Sequence, residues 1–167
     1  DDIKRCLEVG ASKVSVNSFA VRNPKFVQKA SDMFGSPRIV VGIDAKRKRE
    51  GLWSVRLQGG TLDTGIDVIE HVKKVTSLGA GELIVNSIDG DGMRKGYDIS
   101  LFREVKKATN LPVIASGGAG ALEDFYQVTV SACVDGVLAA SLFHLGEIKI
   151  LDLKRYLMEK GVDVSVD

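Results

Sequence analysis

The chain has 167 residues, 44% hydrophobic and 27% charged, with a formal net charge of +1. That balance describes one globular domain with material for a sizeable core, and near-neutral charge gives no reason to expect a nucleic-acid partner. No apolar run is long enough to span a membrane and nothing resembles a signal peptide; Cys6 and Cys133 fall in helical patterns, away from disulfide or metal-ligand spacings, so a reducing, cytoplasmic setting is expected.

In chain order, a helical segment comes first and a β-branched run follows at 13–17 (KVSVN). The stretch 24–34 predicts a helix: Asn23 caps it, Pro24 takes the first helical position and Gly35 follows the end. Its buried face would be Phe26, Val27, Ala30, Met33 and Phe34. A second strand is predicted at 38–44 (RIVVGID), and the charged run KRKRE at 46–50 reads as a solvated loop. The helix predicted over 66–78 would bury Ile66, Ile69, Val72, Val75 and Leu78 before stopping at Gly79. Further strands are expected at 82–88, 112–116 and 136–140, and a last helix at 147–160 ends at Gly161. Alternation of this kind calls for parallel strands joined by right-handed crossovers.

An internal repeat sharpens the expectation. GASKVSVNS at 10–18 aligns with GAGELIVNS at 79–87, an offset of 69 residues that spans two βα units. Five strands and six helical segments fall short of the eight units and about 250 residues of a full (β/α)₈ barrel. The fold class expected is therefore α/β, a partial TIM barrel forming one domain over 1–167; the alternative is an open five-stranded sheet.

Ligands of parallel α/β proteins bind at the carboxyl ends of the strands. Here those ends are Asn17–Ser18, Asp44, Asn86–Ser87, Ser116–Gly117–Gly118 and Ala140–Ser141, all polar or small. Asp44 closes a run that must be buried on both faces, where a carboxylate can serve as general acid or base; its bland alternative is capping the loop AKRKREG or pairing with Lys46. ASGGAGALEDF at 115–125 is a strand, a glycine turn and a helix start, suited to holding an anion on backbone N–H groups, although it breaks the dinucleotide fingerprint. The stretch VNSIDGDG at 85–92 fails as an EF-hand, since no acidic residue sits at the first position in the better register and a strand precedes it. It reads as a turn over the mouth, with Asp91 aimed at a ligand or a neighbouring loop. At the opposite strand ends, counting back by twos puts Lys13 on the face of Asn17 and Glu82 on the face of Asn86. They form either a solvated salt bridge or a polar gate at the barrel floor.

These residues carry a close resemblance to the cyclase subunits of imidazole glycerol phosphate synthase, from histidine biosynthesis. The resemblance runs through GASKVSVNSFAVRNP, VVGIDAKR, GGTLDTGID, GAGELIVNSIDGDG, GYD, PVIASGGAG and VLAASLFH. It implies a (β/α)₈ barrel of which this chain carries units four to eight, with no metal or redox cofactor. It further implies that ammonia from a glutaminase partner, docked at the floor, converts the bis-phosphate phosphoribulosyl-formimino-aminoimidazole carboxamide ribonucleotide to imidazole glycerol phosphate and aminoimidazole carboxamide ribonucleotide. By motif, Asp44 is implied as an acid/base aspartate, and Asn17 and Ser18 lie near one substrate phosphate. Asp91, Gly92, Gly118, Ala140 and Ser141 match the cradle of the other phosphate, while Lys13 and Glu82 match members of a charged ring at the ammonia entrance. Thr61, Gly90 and Met93 depart from the family's usual basic residue, arginine and threonine, and Ser12 replaces an acidic one. The family's second catalytic aspartate lies on its first strand, outside these 167 residues. A true fragment would expose the flank of the 13–17 strand and is expected to self-associate. Two alternatives stand beside this reading: the sister isomerase of the same pathway, and a non-catalytic half-barrel that keeps its phosphate sites.

Overall fold

A computed structural model describes residues 1–165. A helix, α1 (Asp2–Glu8), leads into strand β1 (Val14–Val16), the short helix α2 (Ser18–Arg22) and α3 (Lys25–Phe34). A 3₁₀ turn (Ser36–Arg38) starts β2 (Ile39–Arg49), which continues through two further strands, β3 (Leu52–Leu57) and β4 (Leu62–Asp67), into α4 (Val68–Ser77). Then come β5 (Glu82–Ser87), α5 (Ile99–Ala108), β6 (Val113–Ser116), α6 (Leu122–Ala132), β7 (Gly136–Leu138), α7 (Ser141–His144) and α8 (Ile150–Glu159).

The seven strands form one sheet in the order β4-β3-β2-β5-β6-β7, with β1 also paired to β2, and it does not close on itself. The five strands expected from the sequence are the parallel ones. The two additional strands arise because β2 runs well past Asp44. Its first half pairs in parallel with β1, and Asp44 to Arg49 pair antiparallel with β3. The run 46–50 is thus mostly strand and hairpin rather than a solvated loop.

Side-chain alternation sorts β2 between two layers. Ile39, Val41, Ile43 and Ala45, together with Trp53, Val55, Leu83, Val85, Val113 and Ala115, form a core with Val72, Phe102 and Phe125 of the helices. Phe125 is fully buried, so truncating it to alanine would cost about 3–5 kcal/mol. The even-numbered residues face the other way, into the partial barrel. Helix starts are set by local carboxylates: Asp67 accepts from the N–H groups of Ile69 and Glu70, and Asp98 accepts from that of Leu101. This shifts the start of α4 past Ile66, which lies in β4 and is exposed, as is Met33 on α3. Val68 and His71 take the places on the buried face. Cys133 sits at the left-handed end of α6, and both cysteines are exposed. No helix is long and apolar enough to cross a membrane among the described residues.

Candidate active site

The strand register lines up one row of side chains across the mouth. Asp63 of β4 lies opposite Arg56, Arg56 opposite Asp44, Asp44 beside Asn86, Asn86 beside Ser116, and Ser116 beside Leu138. Residues directly paired across strands share a face of the sheet. Asp44 is at the centre of the row and accepts hydrogen bonds from Asn17 Nδ2 at 3.0 Å and Asn86 Nδ2 at 3.4 Å. Asn17 reaches it from beyond the end of β1, packed closely over Gly42, where an added Cβ would stand 3.2 Å from Asn17 Cβ and press it by a few tenths of an ångström. Two amides therefore fix the orientation of a carboxylate that retains lone pairs for a ligand. The Oδ1 atom of Asn17 is buried without a partner.

Beside this row is a cavity of about 290 Å³, lined among others by Asn86, Asp91, Gly92, Ser116, Gly117, Gly118, Ala140 and Ser141. Asn86 faces both the cavity and Asp44, so it joins the two parts of the site. The glycine pair is required by close backbone approach. A Cβ on Gly118 would meet the carbonyl oxygen of Gly96 at 2.1 Å, and one on Gly117 would meet that of Ser87 at 2.4 Å. Both residues also have positive φ. Just before α6, the N–H groups of Gly120 and Ala121 are taken up by Asp124. The N–H groups of Gly118 and Ala119 make no backbone hydrogen bond among the described residues and are among the donors available to an anion. Strand β7 ends at Leu138, so Ala140 and Ser141 lie past its end, at the start of α7.

Ser18 stands at the start of α2 and does not line the cavity. At the other end of the strands Lys13 and Glu82 form an ion pair, with Glu82 the more buried partner. The parity count is thus met at both ends of β1 and β5.

Several residues of the mouth escape a reading of strand ends. Arg56 pairs with Asp63 at 3.1 Å, while its Nε is buried and unpartnered. Asp63 also meets Lys48 at 3.5 Å and accepts from the N–H of Gly65; that backbone bond and the two cations hold its carboxyl below the usual range. Tyr97, buried beneath the cavity, donates its hydroxyl to the carbonyl of Leu138 at 2.9 Å. Alternation around Trp53, Val55 and Leu57 was the available signal for the hairpin. No group of three or more His, Cys, Asp or Glu side chains is placed to hold a metal among the described residues.

Comparison with known proteins gives a consistent result. The model of the histidine biosynthesis protein family matches residues 1–149. An imidazole glycerol phosphate synthase subunit HisF from Clostridium botulinum strain Okra is 50% identical over 167 residues, covering 99% of this chain and 66% of the relative. Its counterparts from Natranaerobius thermophilus and Clostridium beijerinckii are 51% and 48% identical, with the same coverage. The chain spans 66% of the length of these relatives. A family match over most of the sequence, carried on an α/β framework with polar strand ends gathered at one mouth, shows that this chain belongs to the histidine biosynthesis protein family.

Proposed function

We propose that the chain is the part of an ammonia-dependent cyclase that carries barrel units four to eight, and that three further units close the open sheet. The substrate on this reading is phosphoribulosyl-formimino-aminoimidazole carboxamide ribonucleotide, and a glutaminase subunit supplies ammonia. The observation that carries it is Asp44, fixed by Asn17 and Asn86 at the middle of the mouth, in a chain half identical to relatives named imidazole glycerol phosphate synthase subunit HisF.

Asp44 moves protons at the reacting centre as acid and base. One phosphate lies on Gly118, Ala119 and Ser141 in the cavity, held mainly by backbone N–H and hydroxyl donors. Asp91 stands at the rim, where a carboxylate accepts from sugar hydroxyls. The second phosphate lies toward Asn17 and Ser18, so the substrate spans Asp44. Lys13 and Glu82 gate the floor, where ammonia enters.

The test is product formation with substrate and ammonium chloride by the chain joined to the three barrel units that precede the matched region in its HisF relatives, following release of aminoimidazole carboxamide ribonucleotide, with Asp44→Asn alongside. Turnover that Asp44→Asn abolishes while bis-phosphate affinity is kept supports the cyclase. Bis-phosphate binding without product, in both proteins, supports a phosphate-binding half-barrel instead. Turnover of the isomerase substrate without ammonia would place the chain with the sister isomerase.

A further inference from the structure

Alternation along β2 splits the charged run 46–50 between two faces, with Lys46 on the face of Asp44 and Arg47 on the opposite one. Arg47 grips the loop 88–98 at both ends. At the near end its backbone N–H donates to Asp89 Oδ2 at 2.7 Å. At the far end its Nη2 donates to Asp98 Oδ1 at 2.6 Å and to Ser100 Oγ at 2.7 Å. The same guanidinium lies 5.0 Å from the centre of the Trp53 ring, and Trp53 Nε1 donates to Asp98 Oδ2 at 3.0 Å. Asp98 further accepts from Ser100 and from the N–H of Leu101. Burial pushes the Asp98 carboxyl up, but these donors together outweigh it and hold the group below the usual carboxylate range.

Between the two grips lie Asp91 and Gly92, which line the cavity, while Arg47 does not. We infer that Arg47 is a positioning residue for the anion cavity: through Asp89 and Asp98 it fixes the loop that carries Asp91 and Gly92, so that phosphate in the cavity and the seating of the β2–β3 hairpin on Asp98 stabilise one another. This rests on the reading of the cavity as a phosphate site. Coupling of this kind is reciprocal, so the hairpin must respond to the ligand as the ligand does to the hairpin.

Trp53 is the chain's sole tryptophan and is almost fully buried in this contact, which makes its emission a direct readout. Inorganic phosphate is titrated into the wild-type chain, Arg47→Met and Arg47→Lys, with affinity from calorimetry and emission recorded in parallel. Phosphate is expected to change the Trp53 emission of the wild type. Arg47→Met, which keeps the backbone bond to Asp89 and loses the guanidinium, is expected to bind phosphate about tenfold more weakly, a coupling of ordinary size between two linked sites. Its emission no longer responds. Arg47→Lys falls between, because an ammonium lacks the planar fork. Should Arg47→Met fail to fold, Arg47→Lys and the isosteric Asp98→Asn are expected to weaken phosphate binding and the emission response in the same direction, by less. A folded Arg47→Met with wild-type affinity and an unchanged emission response overturns the inference and leaves the cavity reading intact. A wild-type chain that binds no phosphate overturns both.

Discussion

His71 links the stability of the fold to pH. It lies on the inner face of α4 with 2% of its surface exposed, and its Nε2 is buried without a partner. Burial, assisted by the charge of Lys74, lowers its pKa from 6.5 to about 4. The unfolded chain takes up a proton near pH 6.5 that the folded chain refuses until about pH 4. Stability from this group is therefore complete above the unfolded value and is lost as pH falls through the window between the two. A pKa unit corresponds to about 1.4 kcal/mol, so the full loss is about 3 kcal/mol, of which about 2 kcal/mol has gone by roughly pH 4.5. Urea denaturation at about pH 7 and about pH 4.5, on wild type and His71→Gln, isolates it. Glutamine has similar size and no titration in this range, and carboxylates held low, such as Asp98 and Asp135, contribute to both proteins alike. The wild type should lose about 2 kcal/mol more than the variant over that interval. Equal losses in the two proteins would refute the argument.

Gly118→Ala places a Cβ 2.1 Å from the Gly96 carbonyl oxygen at a φ of +117°, so the 88–98 loop must retreat and phosphate affinity should fall about tenfold; calorimetry showing wild-type affinity would contradict the cradle geometry. Tyr97→Phe removes the donor to the Leu138 carbonyl and should cost about 1 kcal/mol by urea denaturation, with no change meaning that solvent replaces the bond freely. Lys13→Met leaves Glu82, whose side chain is 13% exposed, without its cation. A loss of about 1 kcal/mol that shrinks as salt is added is expected, and a salt-independent loss would point to packing instead.

Much of this arrangement was legible because strand periodicity is local. The two Val-Asn-Ser endings placed Asn17 and Asn86, and counting back by twos placed Lys13 and Glu82, which the structure joins in an ion pair. The glycine turn at 117–118 was visible because only glycine permits such close backbone approach. The hairpin was hidden for the opposite reason. Arg47 reads as a solvated charge until its acceptors are known, and Asp98 lies far along the chain from it. The start of α4 did have a signal, Asp67 as a capping carboxylate, but the apolar Ile66 just before it extends the helical period two residues too early. His71 carries no sequence mark of burial at all; its place follows from the packing of α4.

The row from Asp63 to Leu138 also sets where this chain tolerates insertions and deletions. The turns and helices between strands contribute nothing to the alignment, so surface connections can lengthen or shorten while the row stays in place. Inside a strand the tolerance vanishes. One residue inserted between Ile39 and Asp44 would turn the aspartate from the mouth toward the helical layer, and no neighbouring strand could follow it without a slip of its own.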